Sequence, residues 1–284
     1  MYKKLRLRLN QILAPLSASS QQTDDSLLSS VPYLDTSKTI RLLTFNIQVG
    51  ISTSAYRHYL TRSWQHFLPH KNRQDNLNKI AGLLSDYDVV ALQEVDGGSL
   101  RSGFINQVEY LANESELPYW YQQLNRNFGP VAKHSNGLLS RFRPIQVKEH
   151  CLPGLIPGRG VIVAEYGKNE DPVVLVIMHL SLSESAQIQQ LRFVESLIKD
   201  FNHVILMGDM NTHAEKILHD SPLKNSGLVA LPGVSHTFPS WRPEKALDHI
   251  LVSRSLLVKR AGVVTFPVSD HLPIALEVQL PEGY

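Results

Sequence analysis

Strand-like apolar runs that end in a polar or acidic cluster recur along this chain. Five runs have this form, at residues 42–46, 89–94, 173–179, 204–211 and 267–271. A sixth, at residues 247–252, carries its acid at the start of the run. Open α/β sheets bind ligands beyond the carboxyl ends of their strands, so these repeated polar strand ends predict one shared site. That ordering is the main sequence evidence for an enzyme.

Two stretches with helical spacing precede two of these runs. Residues 76–86 and 186–201 each place apolar side chains three and four positions apart, as in an amphipathic helix. Each is followed by a continuous apolar run of the kind that is buried on both faces of a sheet. Helix and strand alternate from about Thr39 onward without an internal repeat, which predicts a single α/β domain over residues 39–284.

Residues 1–38 are predicted to lie outside that domain. The net charge of the chain is +2, of which four cations among the first ten residues contribute +4, so the remainder sums to −2. The body therefore lacks the basic balance of a typical nucleic-acid-binding protein. The basic start either contacts an anionic membrane surface or is a solvated tail. Residues 17–30, rich in Ser, Gln and Asp, predict a flexible linker.

Composition narrows the class of protein. A 43% apolar and 19% charged chain without a run of eighteen apolar residues predicts a globular protein with no transmembrane helix. The apolar patch at residues 12–16 is too short for a signal-peptide core, so we expect a cytoplasmic location, with membrane association only at the periphery. Cys151 is the single cysteine, which excludes an internal disulfide. We expect a monomer without an obligate protein partner.

Two long polar and aromatic stretches are predicted to be loops, at residues 48–73 and 118–130. Their aromatic side chains either pack against the body of the protein or form a rim with neighbouring arginines. Such a rim would stack nucleic-acid bases or hold an amphiphile. The pattern leaves both alternatives open.

The polar residues at the ends of the runs favour a hard cation. Oxygen ligands are offered by Asn46, Glu94, Asp209, Asn211 and Asp270. Carboxylates and amides suit Mg²⁺ or Mn²⁺ better than Zn²⁺ or copper. If the segment containing Asp209 and Asn211 is extended, their side chains project to the same side. Next to Asp270, the imidazole of His271 could abstract a proton if a second carboxylate such as Asp248 held its tautomer.

Six segments, in order, resemble the motifs of the endonuclease/exonuclease/phosphatase superfamily. They are Thr-Phe-Asn-Ile at 44–47, Gln-Glu-Val-Asp at 93–96, His-Leu-Ser-Leu at 179–182, Gly-Asp-Met-Asn at 208–211, Leu-Asp-His-Ile at 247–250 and Ser-Asp-His-Leu-Pro at 269–273. Weaker blocks at 136–141 and 237–240 agree. The resemblance implies a four-layered α/β sandwich, two mixed β-sheets packed face to face with helices outside. It also implies a metal-dependent hydrolase of phosphate esters.

The same resemblance implies the metal ligands. Glu94 would be the principal ligand of Mg²⁺ or Mn²⁺, and Asn46 would assist it or bind phosphate. Asp270 would add a second contact, direct or through water. A retained fold that only binds its ligand is the non-enzyme alternative, but each motif keeps its polar residue.

Further roles follow from the resemblance. His271 would act as general base toward the attacking water, and Asp248 would orient it. Asp209 would position the nucleophile or the leaving group. Asn211 and His179 would donate hydrogen bonds to the phosphoryl oxygens.

The substrate is less well determined than the reaction. We expect a phosphodiesterase that acts on nucleic acid, with lipid headgroups or inositol phosphates as alternatives. Asn136 and Arg159 are weaker candidates for substrate binding. Scattered cations, among them Lys133, Arg141 and Arg159, could hold additional phosphate groups.

Overall fold

A computed structural model of the chain describes residues 21–34, 39–51, 71–155, 157–168 and 170–281. The basic start of the chain and the greater part of the predicted loop at 48–73 lie outside these residues. No helix in the described ranges has the length and apolarity needed to span a membrane.

The secondary structure of the described residues consists mainly of strands. In chain order the strands are β1 Gln21–Gln22, β2 Thr39–Asn46, β3 Val89–Asp96, β4 Tyr119–Asn127, β5 Lys133–Ser140, β6 Gln146–Cys151, β7 Gly160–Tyr166, β8 Val173–His179, β9 His203–Asp209, β10 Leu228–Ala230, β11 Asp248–Ser253, β12 Leu257–Val263 and β13 Ile274–Gln279. The α-helices are α1 Asp25–Leu28, α2 Lys71–Leu84, α3 Gln107–Glu114, α4 Glu184–Ile198 and α5 Ala214–His219.

These strands form two mixed sheets. The first has the order β1-β4-β5-β3-β2-β13-β12, and the second has the order β10-β11-β9-β8-β7-β6. Each sheet contains one parallel pair, β2 with β3 and β8 with β9, and the other pairs are antiparallel. Each parallel pair is joined through a helix, α2 or α4. These two helices confirm the predictions at residues 76–86 and 186–201.

Alternating side chains divide the protein into layers. In β2, Leu42 faces the core between the sheets, whereas Leu43 packs with α2 and α3. In β8, Leu175 faces the same inner core, whereas Val176 packs against α4 and α5. Neighbouring strand residues point to opposite faces, so a continuous apolar run can fill both layers. Full burial of each such side chain contributes about 1.5–3 kcal/mol. The result is the predicted four-layered α/β sandwich.

The prediction of a flexible linker is wrong for residues 21–30. β1 pairs with β4, and the hydroxyl of Thr23 accepts a 2.7 Å hydrogen bond from the Trp120 amide. Leu28 and Val31 are buried in the inner core. These few apolar side chains, spaced among polar residues, pack into the core between the sheets, which composition alone does not reveal. The described structure therefore begins before residue 39.

Two further segments differ from the sequence prediction. Residues 118–130 are mainly strand β4 instead of a loop, and Tyr119 and Trp120 are buried in it. Aromatic residues favour strands, and pairing with β5 overrides the polar composition. Residues 267–271 form a turn before β13 instead of a strand. That turn carries Asp270 and His271 to the end of the sandwich.

Only glycine fits the backbone conformation at position 208, near the end of β9. Its φ of +143° is a conformation that side-chain-bearing residues rarely adopt, and a Cβ there would overlap the carbonyl oxygen of Met178. We expect Gly208→Ala to destabilise the protein by about 3 kcal/mol or more, measured by urea unfolding. Gly82→Ala, on the exposed face of α2 with open space around it, is the control and should be neutral or slightly stabilising. Equal stability of both variants would contradict this account.

Candidate functional site

The predicted site residues converge at one end of the sandwich. Asn46, His179 and Asp209 are the last residues of β2, β8 and β9. Asp248 is the first residue of β11 and stands directly opposite Asp209 in the antiparallel register. The turn before β13 brings His271 to the same end. Parallel and antiparallel strands from both sheets thus supply a single cluster.

His271 and Asp248 form a buried pair. The Nδ1 atom of His271 lies 2.7 Å from Oδ2 of Asp248, and that oxygen also accepts a 2.6 Å hydrogen bond from Thr237. The ring of Phe238 covers His271 at a centroid distance of 4.9 Å. Burial disfavours the imidazolium, but Asp248 and then Asp209 outweigh burial and hold the pKa of His271 well above its usual range. With Nδ1 bound to Asp248, Nε2 faces Asp209 at 3.9 Å.

Asp209 lies at the centre of the cluster. Its Oδ2 accepts a 3.0 Å hydrogen bond from the Asn46 amide and is 3.4 Å from Nε2 of His179. Burial raises the pKa of Asp209 to about 7, although the positive charge of His271 opposes the shift.

A bulge in β3 turns Glu94 toward the cluster. Between Leu92 and Val95 the pairing with β5 shifts register, and Glu94 adopts a φ of +55°. A non-glycine residue in this left-handed conformation is strained, and such strain concentrates at functional sites. The Glu94 side chain remains 37% exposed and lies 3.9 Å from Nε2 of His179. Loss of hydration, and then the charge of Asp270, raises its pKa.

Glu94 and Asp270 are suited to bind a divalent cation. The charge of Asp270 raises the pKa of Glu94, so a cation bound by both carboxylates would stabilise them, and carboxylate oxygen suits a hard ion. A second acidic group, Asp209, Asp248 and His271, has ligand atoms within 4.8 Å of one another. Because Asp248 and His271 are already joined by a 2.7 Å hydrogen bond, that group is better arranged for proton transfer. The identity of the ion does not follow from this geometry.

Asn46 and Asn211 are not oriented as the sequence analysis predicts for metal ligands. The amide nitrogen of Asn46 faces Asp209, and its Oδ1 accepts a 3.1 Å hydrogen bond from the Gln48 backbone. In this orientation Asn46 holds the carboxylate of Asp209 through its side-chain N–H. Asn211 has a φ of +50°, so the expected extended segment does not form, and its side-chain amide donates to the Leu180 carbonyl at 3.0 Å. Its backbone N–H binds Asp209 instead, at 3.1 Å.

His179 is held neutral. Burial, and then the charge of Arg159, keeps its pKa well below the usual range. A neutral imidazole between Glu94 and Asp209 can donate one N–H without adding positive charge. The role of His179 as a hydrogen-bond donor to phosphate stays a prediction.

Sequence reasoning left two supporting residues without a role. Thr237 is fully buried and binds Asp248, and Ser269 is fully buried and donates a 2.8 Å hydrogen bond to the carbonyl of Asn46. Ser269 thereby ties the turn that carries His271 to the end of β2. The motif blocks that contain them, Thr-Phe-Pro-Ser and Ser-Asp-His, were the only sequence signal that could have pointed to these two residues. A hydroxyl in a motif does not reveal its partner, because the partner is distant in sequence.

A cavity of about 570 Å³ opens beside Glu94 and His179. Arg126, His134 and Arg159 line it, together with the first turn of α4. Asn136 also borders the cavity, but it is fully buried and its amide donates 3.1 Å to the Gly160 carbonyl. Asn136 thus supports the wall of the cavity.

Other candidate residues lie away from the cluster. Arg141 pairs with Asp88 at 3.4 Å, beyond the opposite end of β5, so it cannot hold a phosphate at this site. Lys133 does not line the cavity, and its backbone N–H donates a hydrogen bond to Asp96.

The fold and the site define a phosphoesterase of the four-layered sandwich class. Residues 43–271 match the model of the Endonuclease/Exonuclease/phosphatase family, so the chain belongs to that family. Its members are metal-dependent phosphoesterases, and the chain is an enzyme of this kind. No curated protein sequence matches the chain significantly.

Solved structures share the fold at low sequence identity. An endonuclease/exonuclease/phosphatase from Beutenbergia cavernae DSM 12333 is 20% identical, with a TM-score of 0.64 over 86% of this chain and 72% of that chain. D. rerio TDP2, complexed with a single-strand DNA product, is 16% identical, with a TM-score of 0.61 over 85% and 99%. Sphingomyelinase C from Streptomyces griseocarneus is 15% identical, with a TM-score of 0.58 over 84% and 99%.

Proposed function

We propose that the chain is a Mg²⁺- or Mn²⁺-dependent phosphodiesterase that hydrolyses nucleic acid by direct attack of water. The observation that carries this proposal is the His271–Asp248 pair, placed against Asp209 within the cluster that also holds Glu94 and His179. A proton acceptor on one side and cation-binding carboxylates on the other are the two groups that phosphodiester hydrolysis requires.

His271 is the general base in this proposal. Its bond to Asp248 fixes the proton on Nδ1 and leaves Nε2 to accept a proton from water. The surrounding carboxylates raise its pKa, so the fraction of unprotonated base, and with it kcat/KM, increases with pH across the neutral range. Asp209, next to Nε2, orients the attacking water or the leaving group.

Glu94 and Asp270 would hold the cation, with Asn46 fixing the carboxylates of Glu94 and Asp209. A bound divalent cation would neutralise these acids and stabilise negative charge on the phosphate. His179, neutral and buried, donates its N–H toward a phosphoryl oxygen as charge develops there. The reaction needs no covalent intermediate on the chain.

Nucleic acid is the proposed substrate because of the cavity beside Glu94. It carries two arginines, which bind phosphate diesters well, and the similar D. rerio TDP2 structure contains a single-strand DNA product. The test is Mg²⁺-dependent hydrolysis of single-stranded DNA, plasmid DNA, sphingomyelin vesicles and inositol phosphates, with His271→Ala as the contamination control. Activity on DNA that the variant lacks is expected. Activity confined to a lipid or an inositol phosphate would contradict the substrate assignment.

A second candidate substrate, a lipid headgroup, is favoured by an exposed apolar patch. Leu100, Phe104, Phe128 and Val131 are 38–66% exposed, and their two loops are joined by a 2.7 Å bond from the Leu100 amide to the Pro130 carbonyl. Phe128 contacts His134 of the cavity at 5.9 Å between ring centroids. A membrane would cover such a patch. Phe104→Ser should then lower binding to sphingomyelin vesicles, and unchanged binding would remove this candidate.

A further inference from the structure

The charges in the wall of the cavity are divided between its two ends. Of the described residues that line it, Glu94 is the carboxylate, and Arg126 and Arg159 are the cations. Glu184, in the first turn of α4, pairs with Lys216 at 2.8 Å instead of facing the cavity. The cavity therefore has an acidic end at Glu94, where the cation would bind, and a basic end at Arg126, with Arg159 between them.

Neither Arg126 nor Arg159 forms an ion pair with a carboxylate among the residues that the structure describes. Arg126 is held by a hydrogen bond to the Pro157 carbonyl and stacks over Phe128 at 5.5 Å. Arg159 has the acids on one side and Arg126 on the other: burial lowers its pKa, Glu94 and then Asp209 oppose that effect, and Arg126 adds to it. Arg126 and Arg159 repel each other, and an anion that contacts both guanidinium groups would stabilise them.

The remaining groups at this end also favour an anion. Burial, and then Arg101, lowers the pKa of His134 to about 4, so its imidazole is neutral and does not compete for negative charge. Arg101 itself is neutralised by its ion pair with Asp96. Across the cavity, Ser183 and Ser185 present hydroxyl groups at the start of α4, where the helix dipole is positive.

We propose that Arg126 and Arg159 form a subsite for a second phosphate group, adjacent along the substrate to the phosphate that is cleaved. This proposal rests on the proposed function, because it treats the acidic end as the place of cleavage. Guanidinium groups bind phosphate oxygens in pairs, which suits a neighbouring phosphate of a nucleic-acid strand. The enzyme would therefore favour substrates with two or more phosphates over simple diesters.

Binding measurements test this subsite without requiring turnover. Titration calorimetry in Mg²⁺ would compare thymidine 3′,5′-bisphosphate with thymidine 5′-monophosphate, and propane-1,3-diol bisphosphate with propyl phosphate. Wild type should bind each bisphosphate at least about tenfold more tightly than its monophosphate, a difference of about 1.4 kcal/mol. Tighter binding of the bisphosphate in both pairs means that the subsite recognises the phosphate group alone. Tighter binding only in the thymidine pair means that the subsite also contacts the nucleoside.

Arginine variants test whether the preference for bisphosphates depends on Arg126. Arg126→Gln should reduce the bisphosphate preference to about twofold or less, Arg126→Lys should retain part of it, and Arg254→Gln, an exposed arginine beyond β11, should leave it unchanged. Thermal melts confirm that each variant is folded. Equal affinities of wild type for mono- and bisphosphates, or an Arg126→Gln variant with the full preference, would overturn the subsite. Preserved preference without hydrolysis of any phosphodiester would instead contradict the proposed function.

Discussion

Replacing His271 with alanine is expected to lower kcat on bis-p-nitrophenyl phosphate by roughly 10²- to 10⁴-fold, the contribution of a positioned general base. His271 is 6% exposed and bonded to Asp248, so its Nε2 is fixed toward Asp209. Removal of the ring leaves the cation-binding residues in place. KM should therefore change much less than kcat, because the ring acts on the attacking water.

A control variant at another histidine distinguishes the loss of the general base from a nonspecific loss of activity. His213→Ala removes an exposed imidazole just before α5 that makes no capping hydrogen bond, and we expect it to retain full activity. Asp248→Asn should lower kcat in the same direction as His271→Ala, because the amide can present its N–H to Nδ1 and reverse the tautomer. Full activity of His271→Ala would exclude it as the base.

Replacing Glu94 with glutamine is expected to have opposite effects on stability with and without metal. In EDTA the variant should melt at a higher temperature than wild type, because the charged Glu94 is disfavoured by lost hydration and by Asp270. With Mg²⁺ at one hundred times its Kd, wild type should gain about 2.7 kcal/mol and melt roughly 5–10 °C higher. The variant should lose most of this gain together with its turnover.

The thermal measurement distinguishes a metal ligand from a residue that merely supports the fold. Glu109→Gln, on the exposed face of α3, is the control and should show the full Mg²⁺ shift. A structural role for Glu94 would instead lower the melting temperature under both conditions. An unchanged Mg²⁺ shift in Glu94→Gln would place the cation elsewhere, and the group of Asp209, Asp248 and His271 would become the preferred alternative.

The sequence predicted the layers of the fold well because the relevant signals are local. Continuous apolar runs identify buried strands, and helical spacing identifies α2 and α4, without knowledge of distant contacts. Strand β4 was predicted as a loop because its polar and aromatic residues acquire strand character only by pairing with β5. Residues 21–30 were predicted as part of a linker for a similar reason, since their fit to the sheet edge depends on a partner about 100 residues away.

The chemistry of the site was predictable in residue type but not in geometry. The order of the motifs pointed to Glu94, Asp209 and His271, which lie together in the structure. The bulge that turns Glu94, and the left-handed backbone at Asn211, have no glycine or other marker in the sequence. Arg126 lies in no motif and reaches the cavity only because β4 runs beside it.

Stripping the purified chain with EDTA and then adding back Mg²⁺ is the most direct test of the central claim. Hydrolysis of bis-p-nitrophenyl phosphate would be followed before and after the addition, with circular dichroism to confirm the fold. The structure predicts no turnover in EDTA and recovery with Mg²⁺ or Mn²⁺. Turnover that persists in EDTA, or a folded chain that stays inactive with both ions, would contradict a metal-dependent phosphodiesterase.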